Sequence, residues 1–257
     1  MKYAHRLSIG GGAVAALLVI WQVSAVYGWI DATFLPPPTE IVKTTIDLVR
    51  HGYQQIPLWE HIAISVARAL VAFVISVVAG VPLGLAMGLS PWTSAVLDPF
   101  VQFLRPLPKI ALIPLTVVWF GIGETSKFFL IFISCFLSVV VGAAAAVGGV
   151  SRARMLAAQT LGASGRQIFR FVVLPNALPE IFTSVRLSIG IGWTSLIAAE
   201  LVAATSGLGW MVMNAGTYLR TDVVMVGILF LGSIGYLLDF AIVLTQRVIV
   251  PWAGKEA

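Results

Sequence analysis

The segment LAAQTLGASGRQIFRFVVLP, residues 156–175, places two arginines, two glutamines, two glycines and a serine in a chain that is otherwise oily. Ser164 followed three positions later by Gln167 is a capping box, in which each side chain satisfies a backbone N–H of the other residue, so a new helix is expected just after Gly162. That helix is expected to run until Pro175, giving two short helices joined by a glycine turn. On the second helix Arg166 and Arg170 are one turn apart on one face, while Ile168, Phe169 and Val172 offer apolar contacts elsewhere. Such a helix either rests on lipid headgroups or presents its arginines and small residues to another protein.

The surroundings decide where this segment sits. Hydrophobic residues make up 59% of the 257 positions and charged residues only 11%, far from the balance of a water-soluble domain. The net charge of +5 does not point to nucleic acid, because the basic residues stand at the ends of apolar runs, where they anchor helices. The single cysteine, Cys135, lies in an apolar run, which rules out an intramolecular disulfide and makes a metal cluster unexpected.

A membrane span needs about 20 mostly apolar residues. Six are expected, at about residues 8–27, 62–89, 96–120, 128–150, 181–204 and 222–248, the third broken by RPLPKIALIPL. The first follows a short head with Lys2, His5 and Arg6 and resembles a signal peptide, but it is long and runs on to Trp29, so it is read as uncleaved. Lysine and arginine placement puts Lys2, Arg6, Arg152, Arg154, Arg166, Arg170, Arg247 and Lys255 in the cytoplasm, with both termini there. The opposite loop, from Asp31 to Glu60, has no positive excess. After its LPPPTE run, Thr39 is expected to cap a short amphipathic helix reaching Arg50, lying on the outer surface.

The spacing in the opening segment resembles the signature cytoplasmic loop of ABC-importer permeases: Glu-Ala-Ala, three residues, Gly, nine residues, Ile-x-Leu-Pro. Here it reads Leu156-Ala157-Ala158, then Gly162, then Val172-x-Leu174-Pro175, with leucine in place of the glutamate and valine in place of the isoleucine. GLSPWTSAVLDP from Gly88, VVWFGIGETSKFFL from Val117 and IGWTSLIAAELVAATSGLGWMV from Ile191 are similar to the nitrate/sulfonate/taurine branch of that family. The resemblance implies an all-α membrane protein of the type I ABC importer permease fold, one transmembrane domain over residues 1–257 with its core at about 60–250. It also implies a bacterial inner-membrane location and import of taurine or a related small sulfonate, or of another small anion such as nitrate or an alkanesulfonate. The implied partners are a second copy of the chain, a cytoplasmic ABC ATPase dimer and a periplasmic or lipid-anchored substrate-binding protein, all within membrane lipid and without nucleic acid. The loop would act as a coupling helix against the ATPase, through Ala157, Ala158, Gly162, Ser164, Arg166, Gln167, Arg170, Leu174 and Pro175. ATP and magnesium would belong to the ATPase chain, because this chain has no Walker motif; no cofactor or metal is expected on it.

Other polar residues admit two readings each. Arg68 is an interfacial snorkelling residue or part of an anion path, its place near the outer end of span two favouring the first. Arg105 and Lys109 flank prolines in the broken span, where unwound backbone needs protein or water beside it, so they are candidates for the translocation path. Glu200, in AAELVAAT, is a candidate for the same path but is expected chiefly as the partner of a cation on another helix, and Asp239 likewise. SGLGWMVMNAGTYL, from Ser206, lacks a Gly-Lys-Ser/Thr ending and follows a span rather than a strand. It is read as an outer gate or binding-protein docking helix with Gly207, Gly209 and Trp210. His5, His51 and His61 stand outside any nucleophile–base or metal pattern, and no catalytic motif appears, so the chain is not expected to be an enzyme. A self-sufficient secondary carrier is the rival class, since broken helices and a midmembrane acid also occur there.

Overall fold

The computed structural model describes residues 2–253, with side chains described from residue 11 onward except that of Ala203. The expected positions of Lys2, His5, Arg6 and Lys255 therefore lie outside the described side chains. In chain order the helices are α1 (Lys2–Val26), α2 (Pro38–His51), α3 (Leu58–Leu89), α4 (Pro91–Leu104), α5 (Ile113–Phe120), α6 (Glu124–Gly148), α7 (Arg152–Thr160), α8 (Gly165–Ile168), α9 (Leu174–Ala203), α10 (Leu208–Thr217) and α11 (Thr221–Ile249). Among the described residues there is no strand, only an isolated bridge between Tyr53 and Ile56.

Among the described residues four helical stretches are long and apolar enough to cross a membrane: Leu58–Leu89, Glu124–Gly148, Gly165–Val202 and Thr221–Ile249. A bent pair, Pro91–Leu104 with Lys109–Phe120, makes a fifth, broken apolar stretch, turning by 91° at its break. The six expected spans correspond to these and to α1, whose described apolar part, Gly11–Val26, is shorter than a full span. The bend lies where the sequence puts Pro106 and Pro108, each of which removes a backbone donor. α4 starts where Ser90 accepts from the Thr93 N–H at 3.2 Å, with Pro91 in the first turn where its missing N–H costs nothing.

The chain forms two compact units. The first holds residues up to Ile64 together with Thr205–Gly232. In it α2 turns Ile41, Thr44 and Leu48 inward. Thr39 does not cap α2 as expected: Pro37 holds the cap position, and Thr39, the second residue of the helix, exchanges hydrogen bonds with Gln22 (3.1 and 3.2 Å). His61 is fully buried, stacked on Trp210 at 5.7 Å and accepting the Gly207 N–H through Nδ1 at 3.1 Å. Tyr53 meets the edge of Trp210 and donates its hydroxyl to Asn214 at 2.8 Å, and burial pushes that hydroxyl's pKa up.

The second unit holds Ser65–Ala204 and Ser233–Ala257 and is built around α6 packed on α9. Small residues make that approach possible: a Cβ on Gly142 would run into Ser184, and one on Gly192 into Cys135. Buried serines within the pair satisfy themselves on backbone carbonyls or on each other, Ser134 Oγ on Leu130 O at 2.7 Å and Ser195 Oγ on Ser134 Oγ at 2.9 Å. α3 joins α6 through Gly80, Gly84 and Gly88, each abutting α6 atoms.

The segment that opened the sequence reading forms the elbow between α7 and α9. Gly162 has φ +82, a left-handed conformation that side chains disfavour, and both halves of the Ser164/Gln167 capping box are made. The second helix does not stop at Pro175, however. A π-turn at Phe169–Val173 leads directly into α9, with Pro175 in α9's first turn. The wider turn just before the proline leaves room for its ring and needs no donor from it, so the helix continues across a residue expected to end it.

Candidate translocation site and coupling surface

Three layers succeed one another along α6 and α9, starting from the end that bears the α7–α8 loop. Nearest that end is a cleft of about 550 Å³ lined by Ser138, Val141 and Gly142 of α6, by Ser184, Leu187, Ile191 and Thr194 of α9, and by Arg105, Lys109 and Ile110 at the bend between α4 and α5. Next, Ile113, Leu130, Ala198 and Ala199 close into an apolar cluster, with Leu112 and Val117 packed against it. Beyond that cluster lie the charges of Arg68, Glu124, Lys127 and Glu200.

Arg105 and Lys109 both line the cleft but differ in state. The Lys109 ammonium donates to the carbonyls of Leu104, Arg105 and Leu107 at 3.2, 2.6 and 2.9 Å, closing off acceptors that the end of α4 leaves open. Arg105 is exposed in the cleft and, among the described residues, forms no ion pair. Asp98, the acid nearest in sequence, accepts instead from Ser94 at 3.1 Å. The cleft hydroxyls donate inward to backbone, Thr194 to Ile191 O and Ser184 to Glu180 O, and so turn lone pairs rather than protons outward. Of the two cations that line the cleft, Arg105 is therefore the one whose charge is not taken up by neighbouring groups among the described residues.

The ionic layer corrects the snorkelling reading of Arg68. That side chain is 4% exposed and reaches no interface. Its Nη1 meets Glu200 Oε1 at 2.7 Å, and its Nε and Nη2 meet the two oxygens of Glu124 at 2.6 Å each. Glu200, fully buried, also accepts from Ser65 Oγ at 2.8 and 2.9 Å. A guanidinium buried on a membrane helix is tolerable only with such partners, and two carboxylates hold it more strongly than the bilayer edge would. Lys127, equally buried, completes the group on Glu124 at 2.9 Å. Sequence reasoning missed Glu124 and Lys127, although Glu-x-x-Lys at a helix start, one turn apart, was available as a signal. Asp239 forms a two-bonded pair with Arg186, at 2.6 and 2.7 Å.

The loop residues named from the sequence lie together at the elbow. α7 has no buried residue. Arg166 and Arg170 are exposed, Arg170 lying 5.7 Å from the centre of the Phe171 ring, and Leu161 and Phe171 are 88% and 68% exposed. Ala158, Gly162, Ala163 and Gln167 line a shallow hollow of about 350 Å³. The elbow is braced from behind: Arg154 bonds Asn176, and the Trp252 indole donates to Pro175 O at 3.1 Å. Exposed apolar side chains beside the cations Arg166 and Arg170 make a surface that suits docking on another protein. In the first unit Gly207 and Gly209 are buried and Trp210 is half-buried, positioned by His61 and Tyr53.

Comparison with known proteins sets these features in a family. Residues 80–255 match the family model described as binding-protein-dependent transport system inner membrane component. The chain is 44% identical over 253 residues to the taurine transport system permease protein TauC of Escherichia coli (strain K12), covering 98% of this chain and 92% of that protein. It is 38% identical to the putative aliphatic sulfonates transport permease protein SsuC of the same organism, over 92% of this chain and 88% of the relative. The nitrate import permease protein NrtB of Synechocystis sp. is 29% identical, over 98% and 93%. Among solved structures, an inward-facing form of the MetNI methionine ABC transporter superposes with a TM-score of 0.64 at 22% identity, over 80% of this chain and 98% of that one. That likeness supports the type I importer permease fold expected from the sequence. The chain thus belongs to the family of binding-protein-dependent transport system inner membrane components.

Proposed function

We propose that this permease forms the translocation path of an ATP-driven importer for taurine or a closely related small sulfonate. Two copies would face each other across their clefts, with both termini and the α7–α8 elbow in the cytoplasm. The elbow would dock on a cytoplasmic ATPase, and a binding protein would deliver the ligand from the other side. ATP hydrolysis would take place on the ATPase chain. The names of the relatives support the substrate class, and the placement of basic residues supports the orientation.

The observation that carries the reading is Arg105, a guanidinium with no ion pair among the described residues, at the break of an apolar span and lining a cleft. A sulfonate keeps its charge at physiological pH and crosses an apolar layer only beside water or fixed positive charge. Such a cation facing lipid would be costly, and in a cleft it attracts anions. The test is taurine uptake into proteoliposomes holding the complete transporter. Arg105→Gln is expected to lower the rate about tenfold, the loss of one charge-assisted contact, while complex yield and binding-protein affinity stay unchanged. Uptake at the unmodified rate by a normally assembled Arg105→Gln complex would remove the path from this cleft. Nitrate or alkanesulfonate uptake in preference to taurine would move the substrate to the neighbouring branches of the family.

A further inference from the structure

We propose that Glu124 is a displaceable resident anion on a second ligand site, where Arg68 and Lys127 take the sulfonate of an aminosulfonate and the released Glu124 carboxylate takes its ammonium. The inference rests on the sulfonate reading above and adds a site on the other side of the apolar cluster from the cleft.

The argument begins with unequal burial. The Arg68 and Lys127 side chains are each 5% exposed, whereas Glu124, which bridges them, is 51% exposed. A carboxylate whose only task was to neutralise buried cations would be expected among them, as Glu200 is at 0%. Glu124 instead lies over the two cations as a cover, between them and the surface. Charge counting gives the consequence of lifting it: Arg68 keeps Glu200, and Lys127 is left as an uncompensated positive charge beside a guanidinium edge, its Nε and Nη2 already paired in parallel with two oxygens. That edge together with an ammonium is an oxyanion receptor, and a sulfonate presents the same pair of acceptor oxygens that the carboxylate does.

Local backbone permits the exchange. Glu124 is the first residue of α6, and Gly121 and Gly123 precede it. Gly121 has φ +79, and a Cβ at either glycine would meet nothing within 4 Å, so the segment has open space around it. The freed carboxylate remains next to the bound sulfonate. A ligand with an ammonium two carbons from its sulfonate carries a partner for it, and a plain alkanesulfonate or nitrate does not. The exchange would therefore favour aminosulfonates by matching both charges, and other anions would leave Glu124 without its cations.

Calorimetric titration of the purified transport complex in nanodiscs, without binding protein, separates the possibilities, with taurine and ethanesulfonate as probes. The unmodified complex is expected to bind taurine about tenfold more tightly than ethanesulfonate, the worth of one added charged contact. Glu124→Gln removes both the competitor and the ammonium acceptor. Ethanesulfonate binding should then tighten about tenfold and the preference for taurine should vanish. Lys127→Gln should weaken both ligands. In Glu124→Gln, a shift of both ligands with the preference for taurine retained, or no shift of either, overturns the site, as does absence of binding by the unmodified and Glu124→Gln complexes alike. Should Glu124→Gln fail to assemble, Glu124→Asp keeps the charge with a shorter reach; tighter binding of both ligands with the preference retained supports the site, and unchanged binding rejects it. Taurine uptake by the unmodified complete transporter is measured in parallel. If it is absent the substrate reading has failed, whereas if it is present with equal ligand shifts only this site has.

Discussion

Removing Glu200 would take one carboxylate from the buried Arg68 and the carboxylate to which Ser65 donates. Glu200→Ala is expected to cost about 3 kcal/mol or more of stability, as breaking buried ion pairs does, and to appear as a lower melting temperature and a poor yield in detergent. Glu200→Gln, which still accepts from Ser65, should lose less; equal melting of both variants and the unmodified protein would show that the pair contributes nothing. That Glu200 needs a cation could be read from its apolar surroundings. Which cation could not, because Arg68 lies 132 positions away and hydropathy does not tell a protein-facing turn of α3 from a lipid-facing one. The same limit hid the difference between Arg105 and Lys109. Their sequence context is alike, and only the bend shows that one ammonium is consumed by three carbonyls while its neighbour is not.

Among elements, the packing of α3 on α6 depends on an absence of side chains. Gly80, Gly84 and Gly88 recur every fourth residue on one face, and a Cβ at Gly84 would lie 2.5 Å from Val140 O and 2.7 Å from Ala143 Cβ. Gly84→Ala is therefore expected to destabilise by about 1–3 kcal/mol, the usual cost of overpacking, measured as thermal unfolding of the purified protein. Gly190→Ala is the control: its Cβ meets nothing within 4 Å, so a neutral or slightly stabilising result is expected. Equal effects at the two positions would contradict close packing at Gly84. This fourfold spacing stands in plain view in the sequence and is a signal the span-by-span reading passes over. The elbow was more legible, since the capping box and Gly162 depend on neighbouring residues alone, whereas the π-turn that carries the helix across Pro175 depends on how α9 is seated. Gly162→Leu should strain the φ +82 turn and occupy the hollow beside it, lowering ATPase retention on affinity purification while membrane insertion persists; normal retention would argue against docking there.

For the molecule as a transporter, the order of layers in the second unit matters more than any one contact. A cleft, an apolar cluster and an ionic cluster follow each other along α6 and α9, and a path open at both ends at once would leak. The cleft lies nearer the elbow, and Leu130 and Ile113 beyond it are 1% and 3% exposed, so on the proposed path the apolar cluster is the closed layer in this conformation. Import requires the reverse arrangement at some stage: the cluster parted and the cleft shut. Cysteine labelling reads both states. Cys135 is fully buried and can be replaced by alanine to clear the background. Thr194→Cys, in the cleft, is expected to react with a small maleimide in the nucleotide-free transporter and to be protected when the ATPase is trapped with ATP and vanadate. Leu130→Cys should behave in the opposite sense, silent without nucleotide and reactive in the trapped state. The opposed changes are the informative part, because a general loosening of the protein would raise both and a general tightening would lower both. Labelling at the two positions that rises or falls together would mean that the apolar cluster is a static part of the core and that the path runs elsewhere.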